Sequence, residues 1–314
     1  MTLRVLGMPM RRVLVTLPVL WVVISVVFLL IHIVPGDPVV QMLGEGATAS
    51  DVAVLRHSYG LDLPLKTQYV DYWRGIAHAD LGQSLRLHDS VLHLVAQRYP
   101  YTLELTLAAL LIGGAIAFPA GIVSALYRNR WQDRILGIIS LTGLSFPNFA
   151  LGPILVLFFS IYLGWLPVSG SGSGGVTLLN HLILPAITLG SGLAAVLTRM
   201  IRSAMLEELG QDYIRTARAK GLSERAVVYR HALPNALVPV LTVLGLQFGS
   251  LLSGAIVTET IFSWPGIGRL TLSAISNRDY ALVQGCILAV GLTYVAVNLA
   301  TDVAYTFANP RLLV

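Results

Sequence analysis

The stretch 135–163 reads ILGIISLTGLSFPNFALGPILVLFFSIYL and contains no acidic, basic or histidine side chain. A helix needs about 20 mostly apolar residues to cross the hydrocarbon core of a bilayer, and this run is long enough. It must be helical, because lipid offers no water to satisfy the backbone of an open strand. Reading outward, no Asp, Glu, Lys or Arg occurs between Arg134 and Arg199, and only 164–175, rich in Gly, Ser and Pro, can turn the chain. A second uncharged run, about 176–198, is therefore a separate span. The same search finds 13–34, 105–127, 236–257 and 280–301. The expected fold class is an all-α membrane protein with about six transmembrane helices. The first run follows Arg11-Arg12 but is too long for the apolar region of a signal peptide, and no small-residue cleavage site follows it. It is read as a retained anchor.

Composition agrees. Of 314 residues, 55% are hydrophobic and only 12% charged, with a mean hydropathy of +0.73, which leaves too little polar surface for a soluble protein. The net charge of +5 comes from basic residues beside apolar runs rather than in a stripe, so no nucleic-acid partner is expected. Lys and Arg divide two to one between the faces of the six-span arrangement, with Arg11, Arg12, Arg128, Arg130, Arg134 and the basic residues of 199–235 on the richer face. That bias places both termini and the loop after the fourth span in the cytoplasm of a multi-pass membrane protein, in the cell (inner) membrane. The chain then divides into 1–34 (N-terminus and first span), an extracytoplasmic insertion 35–101, a core 102–306 containing the cytoplasmic loop 199–235, and a tail 307–314. The single cysteine, Cys286, lies in an apolar run and excludes a disulfide framework or a cysteine-rich metal site. No metal site is expected.

Two connections are too long to be simple links, and long loops tend to carry function. In the external one, Ser50-Asp51 is expected to cap a short helix that Gly60 ends, and 68–78 sets Tyr69, Tyr72, Trp73 and Ile76 at helical spacing. Those aromatics suit an interfacial cap resting on the membrane, or a docking surface for an external partner. The cytoplasmic loop contains Asp212-Tyr213-Ile214-Arg215-Thr216-Ala217-Arg218-Ala219-Lys220-Gly221-Leu222-Ser223-Glu224. Asp212 in a first turn, Arg218 and Lys220 in a last turn and Gly221 just beyond define a short helix matched to its dipole and closed by a left-handed residue. Ser223 with Glu224 starts a second helix. Ile214, Ala217, Gly221 and Leu222 fall near one face, where small residues admit another backbone. The result is a hairpin outside the membrane, either purely structural or a socket for a cytoplasmic protein.

These loop residues also carry a family resemblance. Arg215-Thr216-Ala217, then Gly221, then Leu233-Pro234 resembles the EAA motif of ABC-importer permeases, with Arg-Thr in place of Glu-Ala as in the dipeptide/oligopeptide branch. The similarity includes Pro35-Gly36-Asp37-Pro38, Tyr59-Gly60-Leu61-Asp62 with Pro64, Asp80-Leu81-Gly82 with Ser84, and Trp165-Leu166-Pro167. It continues through Ile183-Leu184-Pro185-Ala186, Arg202-Ser203-Ala204-Met205-Leu206, Thr258-Glu259-Thr260-Ile261-Phe262-Ser263-Trp264-Pro265-Gly266 and Asn309-Pro310-Arg311. The resemblance implies a type I importer permease that pairs with a second permease, binds two ATPase subunits and receives substrate from an extracytoplasmic solute-binding protein. ATP and Mg would be held by the ATPase subunits and no cofactor by this chain. Asp212, Tyr213, Arg215, Thr216, Ala217, Lys220, Gly221, Leu222 and Glu224 would form the ATPase-coupling element. A short peptide is the favoured substrate, with longer peptides, glutathione or a nickel chelate as alternatives.

Ionisable groups inside spans are functional candidates, and few occur. Glu104 and Glu259 lie at outer span ends and Asp302 near an inner one, where a solvated or paired terminus is the ordinary reading; Gln247 and Asn298 lie deeper, where an interhelical hydrogen bond is ordinary. Pro147 in Ser145-Phe146-Pro147-Asn148 interrupts its span and frees carbonyls. Phe146, Pro147, Asn148, Gln247 and Glu259 are the candidates for a translocation path or gate. Gly245, Gly249 and Gly254 read first as tight helix packing and second as lining at a partner permease. No catalytic residue is expected. The deep serines have no histidine opposite them, His-Glu-x-x-His and Gly-x-Ser-x-Gly patterns are absent, and neither Lys66 nor Lys220 sits in a phosphate-binding loop. An intramembrane enzyme and a self-contained ATPase pump are thus disfavoured. An autonomous channel or secondary transporter would show repeats or midplane charges that this chain lacks.

Overall fold

The computed structural model describes residues 2–33, 38–43, 48–58, 60–172 and 174–308. Pro35-Gly36-Asp37, Tyr59, Asn309-Pro310-Arg311 and the side chains of Asn148 and Asp302 lie outside the described residues. In chain order the helices are α1 (Thr2–Ile33), α2 (Pro38–Leu43), α3 (Ala49–Ser58), α4 (Leu65–Ala77), α5 (Val91–Leu126), α6 (Trp131–Ser145) and α7 (Asn148–Leu155), the last continued by a π-wound stretch Val156–Tyr162. They are followed by α8 (Gly175–Leu209), α9 (Asp212–Ala219), α10 (Glu224–Ala226), a second π-wound stretch Val227–Ala232, α11 (Leu233–Ile261), α12 (Ile267–Ser276) and α13 (Tyr280–Ala308).

Four segments are long and apolar enough to cross a membrane: Val91–Leu126, Gly175–Leu209, Glu224–Ile261 and Tyr280–Thr301. The pair Trp131–Ser145 and Phe149–Tyr162, bent by 109°, passes the same test only when its two helices are taken together, as a broken span or a re-entrant loop. Pro147 does more than kink that span: α6 stops at Ser145 and a new helix starts, because the residue before a proline is driven out of helical geometry and Phe146 is extended at ψ 118°. In α1 the apolar stretch among described side chains is the shorter Thr16–Leu29.

Helix lengths correct two expected boundaries. The second span starts at Val91, because Arg98 and Pro100 do not break α5, a helix of 36 residues. The fourth continues past Arg199 to Leu209, so the cytoplasmic loop begins as helix. Both rods, at roughly 50 Å by helical rise, exceed the bilayer core.

α5 and α8 pack backbone against backbone along most of their shared length. Ala109, Gly113, Ala117, Gly121 and Ala125 recur every fourth residue of α5 and are buried. Small residues at that spacing let two backbones meet, which is how helices associate when lipid removes the ordinary hydrophobic drive. A Cβ added at Gly190 of α8 would stand 2.6 Å from the Ala109 carbonyl oxygen, and one at Gly121 would stand 2.7 Å from Ile201 Cβ. On α11, Gly245 and Gly249 face Thr301 and Tyr294 of α13, and Gly254 faces Leu189 of α8. Their packing is therefore within this chain.

The external aromatics are used internally too. Phe28 of α1 lies against Tyr69 and Tyr72 of α4 with centroids 5.2 and 5.6 Å away, Ser25 Oγ and Tyr69 O–H share a hydrogen bond of 2.7 Å, and Tyr72, Trp73 and Ile76 pack on Ile24, Val27 and Leu288. The stripe faces α1 and α13 rather than the membrane surface. The cap of α3 is Thr48 with Asp51, not Ser50-Asp51: Thr48 N donates to Asp51 Oδ2 at 3.1 Å, and Thr48 Oγ1 accepts from Asp51 N at 3.3 Å. That is a capping box.

Gly190→Ala should lower stability by about 1–3 kcal/mol, the usual cost of overpacking. Gly114→Ala, whose added carbon approaches nothing nearer than 4.0 Å, should not. Thermal unfolding of both variants in detergent checks this; equal midpoints would refute the seam.

Candidate functional site

The hairpin predicted in the cytoplasmic loop forms around a Schellman turn. Gly221 sits at φ +80°, its N–H donates to Arg218 O at 2.9 Å, and Leu222 N–H donates to Ala217 O at 3.3 Å. These are the two bonds that close a helix through a left-handed residue. Ser223 Oγ then accepts from Ala226 N at 3.4 Å, and Arg218 grips Glu224 in a fork at 2.7 and 3.2 Å. From α10 the chain stays helical into α11.

Two contacts fix the hairpin to the bundle. Ile214 and Ala217 are buried among Val227, Val228 and Ala232 in the main core. They thus anchor α9 and do not present a docking face, which corrects the expected grouping of Ile214, Ala217, Gly221 and Leu222 on one free surface. Tyr213 O–H donates to Glu208 at the end of α8 and accepts from Asn235 Nδ2 of α11 at 3.0 Å. Burial, and then the Glu208 carboxylate, push the Tyr213 phenol up, so it remains a donor. What α9 shows to solvent is Asp212 and Arg215, paired at 3.3 Å with side chains 93% and 76% exposed, together with Thr216, Lys220 and Leu222. Above Gly221 the space is open: an added Cβ would meet nothing within 4 Å.

The candidate path residues are dispersed. Phe146 caps α6 and is exposed, beside Pro147. Gln247 is half-buried and, among the described residues, forms no side-chain hydrogen bond, so the interhelical bond expected of it is not made. Glu259 is more than three turns further along α11 and fully buried, which corrects the reading of a solvated terminus and leaves the paired one. Its carboxylate accepts from Thr102 Oγ1 at 2.6 Å, from Arg269 N at 2.9 Å and from Gly268 N, while Thr102 Oγ1 accepts from Ile267 N at 2.8 Å. Three free amides at the start of α12 are thereby satisfied. A Cβ at Gly266 would stand 2.1 Å from Glu259 Oε1, so only glycine fits there. Trp264, also buried, donates Nε1–H to Tyr101 O at 2.8 Å.

Sequence reasoning missed two further ties. Asp133 accepts from Arg202 Nε and Nη2 at 2.7 and 2.8 Å, from Ser124 Oγ at 2.5 Å and from Asn129 N at 2.9 Å, fastening α6 to α5 and α8. Asp279, ahead of α13, accepts from Ser84 Oγ and from Leu282 N, fastening the external insertion. Asp133 and Arg202 are 69 positions apart and Ser84 and Asp279 are 195 apart, and no local pattern joins such pairs.

The chain is a bundle of long apolar helices with a polar hairpin on one end and a capped short helix on the other, and among the described residues no group of three or more His, Cys, Asp or Glu could hold a metal ion. The chain belongs to the family of binding-protein-dependent transport system inner membrane components: that family's model matches residues 117–314, and the model of its N-terminal part matches 5–106. It is 47% identical to the di/tripeptide transport system permease protein DppB of Pseudomonas aeruginosa, over 96% of this chain and 97% of that one. Against the glutathione transport system permease protein GsiC of Escherichia coli the identity is 43%, with the same coverage. The fold also matches solved structures of the MetNI methionine ABC transporter in inward-facing conformations, with a TM-score of 0.58 at 20% identity over 69% of this chain and 96% of the other. The chain is thus a permease of an ABC importer in the inner membrane.

Thr102→Val leaves Ile267 N–H unpaired and Glu259 short of one donor, each change being worth about 1–3 kcal/mol. Faster hydrogen exchange is expected at 267–269 than at the rest of the outer face. Unchanged exchange there would show that Thr102 and Glu259 do not hold α12.

Proposed function

We propose that this chain forms, with a second permease, the membrane path of an importer for short peptides, and that α9 is the surface on which a cytoplasmic ATPase subunit acts. In this reading α1 and the broken pair each count as a span, giving six, and both termini face the cytoplasm. The Lys and Arg bias supports that orientation. Two ATPase subunits hold ATP and Mg, and an extracytoplasmic binding protein delivers the substrate. The similarity to a di/tripeptide permease supports peptide over glutathione.

The observation that carries the coupling assignment is the division of α9. One face is sunk in the core through Ile214 and Ala217, and the other offers Asp212, Arg215, Thr216, Lys220 and Leu222 to solvent. A helix gripped on one side and bare on the other transmits a push to what grips it. Tyr213 joins α9 to both α8 and α11, and Arg218 with Glu224 keeps the turn closed. Phe146, Pro147, Asn148 and Gln247 remain path candidates in this reading. Glu259 contributes through the outer framework, since its carboxylate is occupied by protein donors.

Gly221→Ala should add only left-handed strain, about 1–2 kcal/mol, and leave ATP-driven uptake measurable. Gly221→Asp puts a branched charge into the open space and should abolish uptake in an importer that still copurifies with its ATPase subunits. Uptake by an assembled Gly221→Asp importer would sink the coupling assignment. The substrate reading is checked separately, by mass spectrometry of the ligand carried by the copurified binding protein: a ligand other than a short peptide refutes it.

A further inference from the structure

A cavity of about 440 Å³ opens between the start of α6 and the inner part of α8. Three arginines line it, Arg134, Arg199 and Arg202, against one carboxylate, Asp133. That carboxylate is already neutralised: Arg202 meets both oxygens, and Ser124 and Asn129 take the remaining acceptor positions. Arg134 and Arg199 are exposed and, among the described residues, have no acidic partner. The cavity therefore carries two uncompensated positive charges, and its size is in the range of about 300–1,000 Å³ typical of small-molecule sites.

The charged mouth continues into an apolar wall. Gly137 and Leu141 line the cavity further along α6, and Ile135, Ile138 and Leu141 are 46%, 63% and 54% exposed. Trp131, at the first turn of α6, is 68% exposed, as befits a side chain at the boundary of lipid and water. A cationic mouth at that boundary above an exposed apolar strip complements a molecule with an anionic head and a hydrocarbon tail. A soluble anion would leave the strip bare, and an acidic protein surface would have to cover it with apolar groups of its own.

We propose that this cavity is a binding site for an anionic phospholipid of the cytoplasmic leaflet. The lipid phosphate sits between Arg134 and Arg199, and its acyl chains lie along Ile138 and Leu141. Basic pockets between helices on that side of a membrane have the chemistry such headgroups need. The choice of leaflet rests on the orientation proposed above; the lipid chemistry does not.

Native mass spectrometry of the full-length chain in detergent, with phosphatidylglycerol and phosphatidylcholine of identical acyl chains, tests the assignment. Retention of phosphatidylglycerol should exceed that of phosphatidylcholine by about tenfold or more, as two interfacial arginines imply. The Arg134→Gln, Arg199→Gln double variant should fall to the phosphatidylcholine level while its thermal midpoint stays at the wild-type value, since Asp133 and Arg202 are untouched. Equal retention by variant and wild type overturns the site. If millimolar inorganic phosphate displaces the lipid completely, the site reads a soluble anion and the lipid assignment falls. Orientation has its own readout: a cysteine introduced by Ser203→Cys, at the cavity rim, should react with an impermeant maleimide in inverted vesicles only. The reverse labelling overturns the leaflet and leaves the retention result standing.

Discussion

Close contact between α5 and α8 sets the position of nearly every other part of the chain. In lipid, burying an apolar side chain against another helix gains little over leaving it in hydrocarbon, so helices hold together through dispersion and shape. The small residues from Ala109 to Ala125 are a direct answer to that constraint. Gly113 meets Leu193 and the Gly190 carbonyl, and Gly190 meets the Ala109 carbonyl, with no room for another carbon. Because both helices are longer than a bilayer core is thick, the rod they make carries the segment 60–90 at one end and the 212–224 hairpin at the other.

The carboxylates that α5 holds lie toward the ends of that rod. Burying a carboxylate is costly unless it is paired and hydrogen-bonded; among the described residues Asp133, Glu259 and Asp279 are buried and bonded, the first two through α5. Thr102 near the outer end holds Glu259 and, through it, α12. Ser124 near the inner end holds Asp133 and shares it with Arg202 of α8. Between these posts the seam is apolar and directionless, so the posts fix register while the seam supplies contact. The same division recurs at the periphery, where Gln284 Nε2 donates to the Val27 carbonyl at 3.0 Å and ties α13 to α1 within an otherwise apolar surface.

Much of this was legible in the sequence because lipid imposes length and polarity rules that a single chain must display openly. The apolar helices over 105–127, 176–198, 236–257 and 280–301, the break at Pro147, the turn at Gly60 and the left-handed Gly221 all follow from local chemistry. What local chemistry could not supply was partnership. The Tyr69, Tyr72 and Trp73 stripe is amphipathic whether it rests on lipid or on α1, and only the fold chooses α1. Ile214 and Ala217 look like a free face until Val227 and Val228 return to cover them. Glu259 reads as a boundary carboxylate until α12 folds back and presents three amides. The i, i+4 repeat on α5 was in plain view, but its meaning depends on Gly190 standing opposite.

The two struts that carry the hairpin are not equally stiff. α8 has its own internal proline at Pro185 but is unbroken α-helix from there to Leu209, one residue short of its cap, so a load on α9 that reaches Glu208 through Tyr213 would enter a continuous rod over that stretch. The other strut is π-wound from Val227 to Ala232, and α11 then carries Pro234 in its first turn and Pro239 inside. π-wound turns lose the regular i to i−4 ladder, and an internal proline removes one of its bonds, so this strut yields first. In the proposed coupling, a displacement at α9 would pass along α8 and be taken up between Val227 and Pro239. Since α8 is locked to α5 by the seam and to α6 by Asp133 and Arg202, those three helices move as one body. α11, tied to α5 at its far end through Glu259 and Thr102, is left with its compliance at the near end, in the π-wound stretch and the two prolines.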